Sequence, residues 1–187
     1  MAIMDDLLTD ASRRMDKSVD STSHELNTIR TGRASAALLD RISVDYYGQK
    51  TPLRQLATIN VPESRLLTVQ PFDPSSLKGI ERAIQESDLG LTPSNDGKVI
   101  RLPIPQLTEE RRKELVRVVR HVAEEGRVAV RNVRRDVMHD LKELVREGEV
   151  GDDEERRAEE RAQKLTDEHV KRIDDLLKRK EEEIMEV

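Results

Sequence analysis

Hydrophobic positions at the start of the chain recur at steps of three and four, with Leu8, Ala11, Met15, Val19, Leu26 and Ile29 on one side of a helix. Asp5 and Asp6 suit the positive end of that helix, so the pattern predicts one amphipathic helix over 2–29. It runs into Thr31-Gly32-Arg33, where glycine relaxes the backbone and marks a boundary. Beyond it the period changes. Ile42 to Tyr47 alternates as a half-buried strand does, and 57–61, 65–69 and 98–102 are further strand candidates. Ser75 or Ser76 is placed to cap a short helix carrying Leu77, Ile80, Ala83 and Ile84 on one side. Pro103 and Pro105 then bracket Ile104 in a stiff connector, and Thr108 caps a new helix with Glu109 and Glu110 in its first turn.

That helix carries the longest seam: Leu115, Val119, Val122, Ala129, Val133, Val137, Leu141 and Leu144. Its forty or so residues make a rod of roughly 60 Å. Gly148 and Gly151 end it, Asp152 or Asp153 caps a third helix, and Ala158, Ala162, Leu165, Ile173, Leu176 and Ile184 supply another stripe. No single helix can hide such a stripe, but three can hide one another. The expected fold is therefore α+β: a long three-helix bundle of 1–30 and 106–187, with a small β/α/β domain, 31–105, inserted between the first and second bundle helices. Two connections, at 31–35 and 103–106, form a two-stranded hinge. Gly126, inside the second bundle helix, costs about 1 kcal/mol against alanine, and nothing in the sequence accounts for it.

Composition sharpens this picture. Charged residues are 38% of the 187 and aromatics only 2%, against roughly 25% charged in an average domain, so long solvated helices are expected over a deep core. All seven prolines and every aromatic residue lie within 31–105. There is no cysteine, which suits a reducing cytoplasm. Acids stand at the start of MAIMDDLLTD where a signal peptide has bases, and no apolar run approaches the roughly 18 residues that span a bilayer. A cytoplasmic protein without a membrane partner is expected.

The net charge of −5 hides an uneven distribution. Residues 111–146 hold eleven Lys/Arg against six Asp/Glu, while 147–187 hold nine against sixteen. At about 100° per residue, Arg127, Arg131 and Arg134 fall within about 60° of one another, and Arg120 joins them. Lys113, Arg117, Arg135 and Lys142 widen the same side, while the apolar seam centres about 115° away. An outward face of guanidinium groups, interrupted chiefly by Glu124, offers forked donors to phosphate oxygens. A solvated helix face explains such charge equally well on geometry alone, but the centre of the stripe uses arginine almost without lysine. Arg30 and Arg33 add a second basic group, open also to a simple helix-capping role.

Signals for catalysis are weak. The glycines form no GxGxxG or P-loop, and neither HExxH nor GxSxG occurs. His24, His121, His139 and His169 lie far apart without cysteine partners, so no metal site is expected. Tyr46 and Tyr47 fall on opposite faces of their strand, one of them for core packing. The expectation is a binding protein with no cofactor, no metal and no small-molecule substrate. A helical-hairpin scaffold that binds proteins through its acidic third helix is the alternative, and an enzyme in the small domain a further one.

Ordered motifs decide among these. IRTGRAS (29–35), VDYYG (44–48), PLRQLATINVPE (52–63), SDLGL (87–91), PQLTEERRKEL (105–115) and RVAVRNVRRD (127–136) run nearly end to end, and with them the sequence closely resembles the ribosome recycling factor family. The resemblance implies an L-shaped monomer of transfer-RNA-like outline, with the bundle as its long arm. It implies binding to large-subunit ribosomal RNA in the ribosome left on messenger RNA after termination, and subunit splitting with elongation factor G and GTP. It implies no catalytic residue of the chain's own. The family's RNA-contacting arginines correspond to Arg131, Arg134, Arg127, Arg112, Arg30 and Arg33, to which helical geometry adds Arg120 and Arg135. The family's joint maps onto Thr31, Gly32 and Arg33 with Pro103, Ile104 and Pro105. Ala36 stands where many relatives place proline.

Overall fold

The computed structural model describes residues 2–186. In chain order they form helix α1 (Ala2–Asn27), strands β1 (Ser43–Tyr46), β2 (Gln49–Pro52), β3 (Ala57–Glu63) and β4 (Leu66–Pro71), helix α2 (Leu77–Gln85), strands β5 (Ser94–Asn95) and β6 (Ile100–Pro103), and the long helices α3 (Glu109–Arg146) and α4 (Asp152–Met185). Mixed α+β architecture is thus what the sequence patterns predicted. The chain clusters into two compact units, one of residues 1–26 with 117–180 and the other of 27–116 with 181–187.

The first unit is helical. Met4, Leu8, Ala11, Met15 and Val19 of α1 pack with Ala123, Val130, Val133, Val137 and Leu141 of α3 and with Ala158, Ala162 and Ile173 of α4. Two details differ from the expected seams. Fully buried Val130 takes the place given to Ala129, which is half-buried. On α4 the seam between Ala162 and Ile173 is carried by polar Thr166 and His169, while Leu165 is half-buried. Thr166 donates to the Ala162 carbonyl at 2.8 Å, and the His169 ring nitrogens lie 2.7 Å from the Leu165 carbonyl and 2.8 Å from Asp16 Oδ1. These bonds make polar residues tolerable at core positions. Arg172 also donates to Asp16 at 2.7 Å, and together the two donors hold the Asp16 carboxyl below its ordinary pKa, Arg172 first and His169 second. Ion pairs Arg14–Asp136 at 2.6 Å and Arg161–Asp5 at 2.8 Å tie α1 to its two neighbours.

Gly126 now has a reason. A Cβ there would lie 2.2 Å from Thr22 Oγ1 and 3.2 Å from Ile173 Cδ1, so α1 and α3 approach over the missing side chain. Arg146 ends α3 in a Schellman arrangement: Gly148, at φ 74°, donates to Val145 O at 3.0 Å while Glu149 donates to Leu144 O at 2.9 Å.

The second unit holds all the strands. β3, β4, β6 and β5 form an antiparallel sheet in that order, and β1 pairs with β2 in a separate hairpin. Leu39, Leu53, Leu67, Val69, Ile80, Ile84, Ile100 and Leu102 form its core. The short strands β2 and β5 have no alternating apolar pattern and were not expected from sequence. Tyr47, assigned to a strand, instead stands in the two-residue turn between β1 and β2 at φ 50°, followed by Gly48 at φ 80°, the left-handed pair that matches hairpin twist. It is exposed, whereas Tyr46 packs against the core and donates to Asp73 at 2.9 Å. The cap ahead of α2 is also shifted. Ser76 makes no side-chain cap bond, and Asp73 instead accepts from the Ser75 amide at 2.9 Å and opens a single turn of 3-10 helix. Thr108 caps α3 as expected, accepting from the Arg111 amide at 3.2 Å. Helix α1 stops at Asn27, short of Ile29.

Candidate RNA-binding face

Within the first unit, the stripe on α3 resolves into side chains with different commitments. Arg127 is the exception to the outward face: its side chain is only 19% exposed and pairs with Glu124 at 3.0 Å and with Asp174 of α4 at 2.7 Å. Burial lowers its pKa, but the hydrogen bonds it donates to Asp174 and Glu124 outweigh burial and leave it raised. The expectation that the whole stripe stands clear of the bundle fails here, because a long arginine side chain on the flank of the buried seam still reaches an acid on the neighbouring helix. Asp174 could not be paired with Arg127 from sequence, since the two are 47 residues apart. Glu124 could have been, at three residues' spacing.

Arg131 is exposed and makes one long contact, 3.4 Å, to Glu124. Arg135 is exposed and donates to Asn132 at 3.3 Å. Arg120 is exposed on the same helix. Arg134 is half-buried, and its Nε is buried with no hydrogen-bond partner.

In the second unit Arg112 is likewise half-buried with a buried, unpartnered Nε. Arg30 shares that feature, although its Nη2 donates to the Pro105 carbonyl at 3.2 Å. Its pKa is lowered, chiefly by burial and next by the positive charge of Arg111. Arg33 is ion-paired with Glu186. The capping role left open for Arg30 and Arg33 is not what they do: Arg30 bonds the proline connector and Arg33 the end of α4.

The proposed joint residues differ in how firmly they are held. Thr31 is buried, donating to Glu183 at 2.7 Å and accepting from the Arg33 amide at 3.2 Å. Gly32 has open space around it and no left-handed φ. Ile104 is buried and its amide donates to the Arg65 carbonyl at 2.8 Å, while Pro103 and Pro105 are exposed. Arg65, Glu183 and Glu186 went unnoticed in the sequence because their contacts are nonlocal.

Each unit by itself thus carries arginines with a buried, unpartnered Nε, Arg134 in the first and Arg30 and Arg112 in the second, and cations of this kind suit a polyanion. The sequence model of the family described as ribosome recycling factor matches residues 22–185. The chain belongs to the ribosome recycling factor family. Its similarity to the ribosome-recycling factor of Rubrobacter xylanophilus is 63% identity over 180 residues, 96% of this chain and 97% of the relative. That of Halalkalibacterium halodurans is 58% identical over 182 residues, 97% of this chain and 98% of the relative. Among solved structures, a solution structure of the ribosome recycling factor aligns with TM-score 0.76 at 46% identity, covering 98% of each chain. A second, described as models for the T. thermophilus ribosome recycling factor and the E. coli elongation factor G bound to the E. coli post-termination complex, aligns with TM-score 0.69 at 49% identity over 98% and 99%. Among the described residues no helix is long and apolar enough to cross a membrane.

Proposed function

We propose that this member of the family binds large-subunit ribosomal RNA of the post-termination ribosome through Arg131, Arg134, Arg112 and Arg30, with Arg33, Arg120, Arg135 and Arg127 in support. Elongation factor G with GTP then drives the subunits apart. The chain acts as a cytoplasmic monomer and contributes no bond-making step. Motion about the joint at 31–33 and 103–105 transmits the partner's force between the bundle domain, 1–30 with 106–187, and the small domain, 31–105.

The observation that carries this reading is the set of buried, unpartnered Nε atoms. Arg30, Arg112 and Arg134 each lack a partner at Nε, and an unsatisfied buried donor costs about 1–3 kcal/mol. A phosphate that accepts from the outer nitrogens of such a guanidinium stabilises its partly desolvated charge, which favours a polyanion at these arginines. The similar structure described with elongation factor G and a post-termination complex supports the same partners.

Co-sedimentation with ribosomes across a salt series tests the RNA contacts. Arg131→Glu is expected to abolish binding at moderate salt with helicity and melting unchanged, because the Arg131 side chain is 48% exposed and supports no core. Arg134→Ala should lower the slope of log affinity against log salt by about 1. Tight binding by Arg131→Glu would remove the stripe from the function. Polysome breakdown should require elongation factor G and GTP together with this protein; breakdown by the protein alone would overturn the division of labour.

A further inference from the structure

Within the second unit, a cavity of about 440 Å³ is lined by Arg33, Arg65 and Arg112 together with Glu183 and Glu186. Its charges are unequally satisfied. Arg33 is held by Glu186, Glu183 accepts from Thr31, and Arg65 spends its Nε on the Ile104 carbonyl at 3.4 Å. Arg112 keeps a buried Nε with no partner. Three cations thus line a cavity with two carboxylates, one of which blocks the exposed guanidinium of Arg33.

That block is weak by construction. The Arg33 and Glu186 side chains are 55% and 51% exposed, and ion pairs so exposed are weakened by solvent and salt. A phosphate group, by contrast, accepts from several guanidinium forks at once, each bond charge-assisted. We propose that this cavity is a phosphate-group site, with Arg65 as a ligand beside Arg33 and Arg112, and that Glu186 occupies it in the isolated protein as an internal stand-in for phosphate. Binding exchanges the Glu186 carboxylate for a phosphate, so the end of α4 is released from Arg33 only when the anion arrives. This inference rests on the RNA-binding reading and adds to it a competitor and a further ligand.

The test uses the full-length chain carrying Glu186→Gln, Glu182→Gln, Arg65→Gln or the Arg65→Gln/Glu186→Gln pair. Glu182 is an exposed neighbour whose loss removes the same charge outside the cavity lining. Each variant is titrated with purified large ribosomal subunits at several salt concentrations. Inorganic phosphate is titrated separately at constant ionic strength while the arginine Nε–Hε resonances are followed by NMR. Glu186→Gln is expected to bind subunits several-fold tighter, with most of the gain absent from Glu182→Gln and lost in the double variant; this outcome assigns the site to backbone phosphate of RNA. No gain on subunits, but saturable shifts of the Arg33, Arg65 and Arg112 resonances with inorganic phosphate, assigns it to free phosphate. An equal gain in Glu182→Gln, a gain kept in the double variant, or neither a gain nor shifts overturns the proposal. Arg131→Glu measured alongside separates the two failures: if it loses subunit binding while Glu186→Gln shows nothing, only the cavity assignment falls.

Discussion

The two units fill their interiors with different mixtures of side chains. In the strand-bearing unit the core is aliphatic and bulky, with Leu39, Leu53, Leu67, Ile80, Ile84, Ile100 and Leu102 all at 0% exposure. In the helical unit bulky Met15, Leu141 and Ile173 are also fully buried, but small Ala11, Ala123, Ala158, Ala162 and Gly126 stand among them, together with buried Thr22, Thr166 and His169. A small sheet with one short helix must gain its stability from large side chains, since it has little area to cover. Three long helices have area to spare and gain it by close approach, which small residues and local hydrogen bonds permit. The difference teaches where each unit tolerates change: the strand-bearing unit fears lost volume, the helical unit fears added volume.

Removal of volume gives the largest effect. Ile80→Ala in α2 is expected to destabilise the strand-bearing unit by about 2–5 kcal/mol. Both tyrosines, and no tryptophan, lie in that unit, so tyrosine emission during urea unfolding reports it separately from the helical signal at 222 nm. If the emission midpoint fails to move, the aliphatic core is not what holds this unit together.

Addition of volume comes next. Gly126→Ala should gain up to about 1 kcal/mol from helix propensity but lose about 1–3 kcal/mol to the clash with Thr22 and Ile173, a net loss seen in the helical melt. Thr22→Ala in the same chain removes the atom 2.2 Å from the new Cβ and should restore most of it. A stabilised Gly126→Ala bundle would show that the helices do not depend on their close crossing.

How much of this was legible in the sequence follows the same divide. Helix extents, the α2 face and the strand candidates at β3, β4 and β6 were readable because apolar residues at regular spacing carry the signal. The bundle seam was misread at Ala129 and again around Thr166 and His169, since periodicity counts apolar residues and cannot see a threonine or histidine satisfied by its own helix. The arginine stripe was visible as a direction on α3. Its inner edge was not: whether Arg127 faces solvent or Asp174 depends on where α4 lies, and no local pattern encodes that. The same holds for the Arg33–Glu186 pair, whose members are separated by nearly the whole chain.

Acid sharpens the comparison on the helical side through one contact. Asp16 has a folded pKa depressed first by its bond from Arg172 and then by that from His169, so its contribution to stability is complete above the unfolded carboxylate value, roughly pH 4, and is lost as pH falls through the folded value. Acid titration followed at 222 nm should therefore show a shallower fall for Asp16→Asn than for the parent chain. Identical acid limbs would mean that the α1–α4 tie carries no stability.

The smallest expected effect is at Gly32, where neither unit's rule applies. A Cβ there meets nothing within 4 Å and the backbone is not left-handed, so Gly32→Ala removes freedom from the unfolded chain without strain and should stabilise by no more than about 1 kcal/mol. Glycine at this position is then not required by the resting structure. If the joint must pass through other backbone conformations while subunits separate, Gly32→Ala keeps ribosome binding and lowers splitting slightly, and Gly32→Pro lowers it further. Polysome breakdown rates for the two variants against their ribosome affinities decide the matter: full activity in both would show that motion at this residue plays no part.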